Sequence, residues 1–280
     1  MSLKIAYAAG HSLSTAGRRL PKSLDKNQTR EWTLNDRVAR AFAQAAADYE
    51  GVTLLRLDDP TGKAGNPVAA RAKKANEWGA GFLIEFHHNA GAKLTKAGGI
   101  TVFCHKEKTK GATFRDAIYA ACIAAGGLKG NRASPKKAKA YTILKKFKGA
   151  GVLLECGFMD SKTDAPVILT EGYSKLIGYA TMEAVAKVAG LKKKAQQDAT
   201  TKTEVCNVEL NVLKNGDKGD QVKAMQLLLV AYGYKGKMDE KKYGDFGSKT
   251  EAALKLYQKK MNLPQTGVCD GDTWSALLGV

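Results

Sequence analysis

Paired cysteines, long apolar runs and acidic residues are all in short supply in this chain. The five cysteines, Cys104, Cys122, Cys156, Cys206 and Cys269, are odd in number and scattered, with no Cys-x-x-Cys spacing. That pattern argues against a disulfide framework and a thiolate zinc site, and points to free thiols in a reducing compartment. No segment reaches the run of about eighteen apolar residues that a membrane-crossing helix needs, so no transmembrane segment is expected. The opening "MSLKIAYAAGHS" has no long apolar region leading to a small-residue cleavage site, so synthesis in the cytoplasm without a signal peptide is expected. Only 27 Asp and Glu face 45 Lys and Arg, a net charge of +18, which calls for an anionic partner: nucleic acid, anionic lipid or a polyanionic cell wall. The imbalance is local, with 30 basic against 16 acidic residues over 1–190 and 11 against 9 over 209–280. No motif interleaves aromatic and basic residues as nucleic-acid binding requires, so no nucleic-acid partner is expected.

What is present is the composition of a folded globular protein, with 44% hydrophobic and 26% charged residues over 280 positions, long enough for one sizeable core and a smaller module. Apolar runs at 3–10, 52–59, 82–90 and 151–158, with 99–104 as a fifth, read as strands. Between them Leu34, Val38, Ala41, Phe42, Ala45 and Tyr49 fall at helical spacing, Pro67 suits the first turn of a helix near 68–78, and 112–126 and 168–189 also read as helices. Strands alternating with helices predict an α/β fold, a mostly parallel twisted sheet with helices on both faces. Residues 191–208 are polar, lysine-rich and aperiodic and read as a linker between a domain at 1–190 and one at 209–280. The second contains a weak repeat, "DKGDQVKAM" (217–225) and "DFGSKTEAA" (245–253), each a glycine turn feeding a helix. Ser248 and Glu251 have the spacing of a capping box, and a third helix start near 271 completes a small all-α three-helix domain.

There are only four histidines, and three of the residues able to do chemistry lie at the C-terminal ends of separate apolar runs: His11, His87 and Glu155. In an open parallel sheet those ends share one edge, where ligands bind. Two imidazoles and a carboxylate, with a fourth position left to water, make a common catalytic zinc site; Glu31, before the first helical run, could complete it. With 16 acidic residues in the domain, spacing alone leaves open whether this trio is a metal site or a chance grouping. Strand alternation puts Glu85 on the same face as His87 and His88 on the other. Glu85 is therefore either a carboxylate that hydrogen-bonds the His87 ring or a solvated acid on the rim. His105 beside Cys104 reads as a surface histidine, because adjacent strand positions face opposite ways.

"AGHS" (9–12), a Glu before "WTLNDRVA", "RAKKAN" (71–76), "FHHNA" (86–90), "GG" (98–99) and "GVLLECGF" (151–158) occur in an order and spacing that resembles the zinc-dependent N-acetylmuramoyl-L-alanine amidases of phage endolysins and bacterial sporulation autolysins. The resemblance implies one Zn2+ bound by His11, Glu31 and His87, with Glu155 catalytic, and with His88 in a variable position. It implies cleavage of the amide between N-acetylmuramic acid and L-alanine, and action on the wall after release through phage or mother-cell lysis. Two departures stand out: Glu85 occupies a position that is usually Ser, and the "AGHS" turn lacks a nearby proline and following glycine, so a differently shaped loop is expected there. Over 213–278, Gly216, Gly219, Val222, Gln226, Phe246, Gly247, Thr250, Gln258, Gly267, Thr273 and Trp274 resemble the small three-helix peptidoglycan-binding domain, with Tyr257 in place of Phe. Most of these are turn glycines and core positions that specify the bundle, so they nominate no ligand contact. Peptidoglycan, with anionic wall polymers in addition, is the implied partner. The competing expectations are a zinc peptidase cutting within the stem peptide and a wall-binding protein without catalysis.

Overall fold

A computed structural model describes residues 2–194, 209–234 and 242–278. The chain divides into two compact units, Met1–Gln197 and Asp198–Val280. Most of the expected linker, residues 195–208, lies outside the described residues, as does Cys206.

In the first unit six strands form one sheet in the order β2-β1-β3-β6-β4-β5: β1 Leu3–Ala9, β2 Val52–Arg56, β3 Phe82–Asn89, β4 Thr101–Cys104, β5 Lys136–Ala138 and β6 Ala150–Phe158. The first four in that order run parallel, β4 is antiparallel to β6, and β5 is parallel to β4. The parallel strands are nearly continuous apolar runs because both faces are covered. On one face Ile84 and Phe86 of β3 and Val152 and Leu154 of β6 pack under α1 (Glu31–Ala46), α3 (Lys110–Ala124) and α6 (Glu171–Ala189). On the other, Leu83 and Leu153 pack under α2 (Val68–Glu77) and α4 (Thr142–Lys146). A short helix, α5 (Ala165–Ile168), precedes α6.

The expected strands and helices are present within a few residues of their sequence bounds. Pro67 is the residue before α2, where its fixed φ suits helix entry, and Tyr49 lies past the end of α1 although it still packs into the core. The sequence reading missed β5 and α4. β5 is a three-residue edge strand rich in lysine, the composition that keeps exposed edges from pairing with other chains; α4 is too short to show a period. Helix α1, which carries Glu31, seats closely on α6 because Gly178 leaves room: a Cβ there would lie 2.5 Å from that of Ala41. The first residues of the expected linker belong to this unit. Lys193 bridges Tyr49, Glu50 N–H donates to Lys192 O at 2.9 Å and Lys194 N–H to Asp48 O at 2.8 Å.

Among the described residues of the second unit three α-helices, α7 (Asp220–Leu229, continued by a π-helical turn at Val230–Tyr234), α8 (Ser248–Lys260) and α9 (Gly271–Leu278), pack around Val222, Met225, Leu229, Phe246, Leu254, Tyr257 and Trp274. Outside the repeated segments, two glutamines tie each helix to the next turn. Gln226 accepts from Gly244 N–H and donates to Asp245 O and Thr250 Oγ1, and so holds the turn that opens α8. Gln258 accepts from Gly267 N–H and donates to Val268 O and Thr273 Oγ1, and holds the turn that opens α9. The capping box is not formed: Gly247 is the residue before α8, with no side-chain cap, and Glu251 pairs with Lys255 at 2.6 Å and accepts from Asn215. With Ser248 already inside the helix, its hydroxyl is one residue too late to cap.

Replacing Gln258 with Leu should cost the protein roughly 1–3 kcal/mol, because Gly267 N–H is then buried without an acceptor; urea unfolding followed at Trp274 reads this. A second expectation concerns the 59–64 turn beside the cavity described below. Asp59 accepts from Thr61 N–H at 2.9 Å and Ala64 N–H at 2.8 Å, and these bonds hold its carboxyl down to about 2. A carboxyl depressed in the folded state stabilises it above the ordinary value, and that contribution disappears as pH falls through about 2. Asp59→Asn should therefore lower stability at neutral pH and flatten the acid end of the profile, the difference from wild type closing as pH falls through about 2, as urea unfolding across pH would read.

Candidate functional site

Every expected site residue comes to the C-terminal edge of β1, β3 and β6 and lines one cavity of about 600 Å³, together with Arg18, Asn66, Arg71, Asn89 and Tyr141. The expected residues come from four places: the turn after β1 (His11), the start of α1 (Glu31), β3 (Glu85 and His87) and β6 (Glu155). β1 ends at Ala9, and His11 turns into the cavity with a left-handed backbone, φ 64, an uncommon state for a residue with a Cβ and one that recurs at functional sites. Ser12 closes the turn by bonding to Ser14 and Thr15, and Ala9 N–H donates to the buried Asp58. Gly10 is required because the His87 ring lies against it; a Cβ would fall 2.0 Å from His87 Cε1.

Glu31 is the first residue of α1, 1% exposed, with its carboxylate at the positive end of the helix. One of its oxygens, Oε1, collects the site: His87 Nδ1 lies at 3.2 Å, His11 Nε2 at 3.4 Å, and His88 N–H donates to it at 3.2 Å. The two imidazoles stand edge to face with centroids 5.0 Å apart. Despite burial, hydrogen bonds and charge from His87, then His11, hold the Glu31 carboxyl down to about 2. His11 is pushed down to about 4 by burial.

Glu155 lies on β6 directly beside His87, its register partner across the β3–β6 ladder. Burial pushes its carboxyl up to about 7, against the pull of His87. Glu85 is not a solvated rim acid. It is 2% exposed; its Oε1 accepts from Arg71 Nε at 2.8 Å and its Oε2 lies 3.5 Å from His87 Nε2. Arg71, also buried, donates from Nη1 to Asn66 O at 2.8 Å. The sequence reading missed Arg71 as a site residue; the signal for it was the unusual buried acid at position 85, since a buried carboxylate needs a partner. Arg18 was missed as well. It is half exposed, with Nη1 3.8 Å from Glu31 Oε2.

His88 points to the far face and is as buried as Glu31, at 1%, with burial pushing it down to about 4 and so keeping it neutral. A position the family resemblance left variable is here locked under α1. Cys104, Cys122, Cys156 and Cys269 are buried free thiols. His105 is half exposed and joins no cluster.

His11, Glu31 and His87 each offer one ligand atom, all within 4.8 Å of one another, and they are the one such group among the described residues. Glu31 Oε2, His87 Nε2 and Glu155 Oε2 are buried there without a hydrogen-bond partner. Buried polar atoms are ordinarily paired, so orphans gathered at one cavity fit a site built for a cation. Two imidazoles and one carboxylate with an open side suit Zn2+.

Comparison with known proteins matches residues 5–187 to the N-acetylmuramoyl-L-alanine amidase family and residues 218–277 to a peptidoglycan binding domain family. Among solved structures, the N-acetylmuramoyl-L-alanine amidase of Clostridium difficile 630 is 18% identical, with a TM-score of 0.60 over 68% of this chain and 97% of that one. The catalytic domain of CwlV from Bacillus (Paenibacillus) polymyxa var. colistinus is 14% identical, with a TM-score of 0.58 over 69% and 100%. The N-acetylmuramyl-L-alanine amidase of Mycobacterium smegmatis is 16% identical, with a TM-score of 0.57 over 67% and 97%. These share the fold. A carboxy-terminal processing protease, CtpA of Bacillus subtilis, is 42% identical over 65 residues, which are 23% of this chain and 13% of the protease. No helix among the described residues is long and apolar enough to cross a membrane. With the family model spanning residues 5–187, the chain belongs to the N-acetylmuramoyl-L-alanine amidase family and carries a peptidoglycan binding domain behind the amidase domain.

Proposed function

We propose that the protein cuts the amide joining the lactyl group of muramic acid to L-alanine in peptidoglycan, with His11, Glu31 and His87 as zinc ligands and Glu155 as acid and base. The observation that carries this reading is the meeting of those three donors within 4.8 Å, on three separate elements, with Glu155 on the adjacent strand. Zinc held there would make a water molecule acidic and polarise the scissile carbonyl.

The rest of the chemistry belongs to the chain. Glu155, with a carboxyl near 7 before any cation is present, sits where a group can both accept and return a proton at neutral pH. It takes a proton from the attacking water and gives it to the departing amine of L-alanine. With a cation bound, Glu85 Oε2, 3.5 Å from His87 Nε2, would attract the proton to that nitrogen and leave Nδ1, which faces Glu31 and His11, for the metal. Arg71 keeps Glu85 ionised and in place through the 2.8 Å pair. The second unit holds the enzyme on insoluble wall, where tethering raises the local concentration of the amidase domain. The basic surplus of residues 1–190 adds a salt-sensitive attraction to anionic wall polymers.

In an assay of wall digestion that counts newly freed L-alanine amino termini, His87→Ala should lose both bound zinc and activity. Glu155→Gln should keep zinc and lose about 100-fold or more in turnover; activity that survives both Glu155→Gln and chelation would falsify the mechanism. Glu85→Gln, which keeps the volume and removes the charge, should weaken zinc affinity about tenfold, read by competition with a chelating dye.

A further inference from the structure

His88, absent from the reaction above, makes a bond that reaches all three proposed ligands. Its Nδ1 lies 2.7 Å from Asn35 Oδ1. Asn35 Nδ2 donates to Gly10 O at 3.0 Å and lies 3.5 Å from Glu31 Oε1. A carbonyl accepts only from the amide's NH2, so Asn35 must turn its oxygen to His88, and His88 must carry its proton on Nδ1. Asn35 is four residues after Glu31, on the same helix face. One buried amide thus touches the carboxylate of the helix ligand and the carbonyl of the residue before His11, and His88 ties it to the strand that presents His87.

We propose that His88 and Asn35 are positioning residues, which fix the Glu31 carboxylate and the Gly10–His11 turn in the metal-binding arrangement. This rests on the reading of His11, Glu31 and His87 as the zinc site. If the pair merely filled volume under α1, an apolar side chain of similar size would leave metal affinity unchanged. If it positions the ligands, the requirement is a hydrogen-bond donor at the place of Nδ1. Asparagine places its amide nitrogen near where imidazole has Nδ1, so His88→Asn supplies that donor and His88→Leu does not.

The experiment measures zinc affinity by dye competition and the visible absorption of the Co2+-substituted protein, on the full chain, for wild type, His88→Leu, His88→Asn and Asn35→Ala, with folding checked by circular dichroism. The expected result is a 10- to 100-fold loss of zinc affinity and an altered cobalt spectrum in His88→Leu and Asn35→Ala, of the size that groups behind metal ligands contribute, and near wild-type values in His88→Asn. A folded His88→Leu or Asn35→Ala with wild-type affinity and spectrum overturns the proposal. If His88→Leu does not fold, Asn35→Ala against His88→Asn reads the same link, and equal loss in both overturns it. Wild-type protein that takes up no zinc would instead sink the metal-centre reading on which this one stands.

Discussion

Three carboxylates, those of Glu31, Glu85 and Glu155, are buried around a single imidazole, and their mutual repulsion is the constraint that shapes the rest of the site. Like charges this close and this dry cannot all persist unless each is relieved. Glu85 is relieved by Arg71, and Glu31 by two imidazoles, a backbone N–H and the start of a helix. Glu155 is relieved by binding a proton more tightly than an ordinary carboxyl does. The same crowding explains why His87 is pushed up to about 10, with Glu31, Glu85 and Glu155 all favouring its charge. A dication is the other way to settle such a cluster, and the orphaned oxygens of Glu31 and Glu155 lie where one would be useful.

The sheet provides the crowding through its connectivity. Parallel β1, β3 and β6 bring residues more than a hundred positions apart to one edge, and alternation along β3 sends Glu85 and His87 into the cavity and His88 under α1. The antiparallel β4 closes the far side, with Thr101 opposite Glu155. The helix layer matters equally, because Glu31 can reach the edge only where α1 begins.

Much of this could be read in the sequence because it depends on period and on strand ends. The apolar runs specified five strands, and the convergence of their C-terminal ends nominated His11, His87 and Glu155. What could not be read were contacts through side chains distant in sequence. Nothing in "RAKKAN" says that Arg71 is buried against Glu85, and nothing in "WTLND" says that Asn35 is bonded to His88 and Gly10. The Ser248–Glu251 pair shows the converse, a local spacing that fits a capping motif by coincidence while Gly247 sets the helix start. In the second unit the repeat was legible, but not that Gln226 of α7 and Gln258 of α8, outside it, each hold the turn that opens the next helix.

The pairing of residues 192–194 with Asp48, Tyr49 and Glu50 bears on how such an enzyme meets a solid. Those partners lie just before β2, at the N-terminal edge of the sheet, whereas the cavity opens at the C-terminal edge. Residues 192–194 are therefore anchored at the back of the sheet, away from the cavity, so a load carried through that anchor falls on the connection between α1 and β2 and not on the residues that line the cavity.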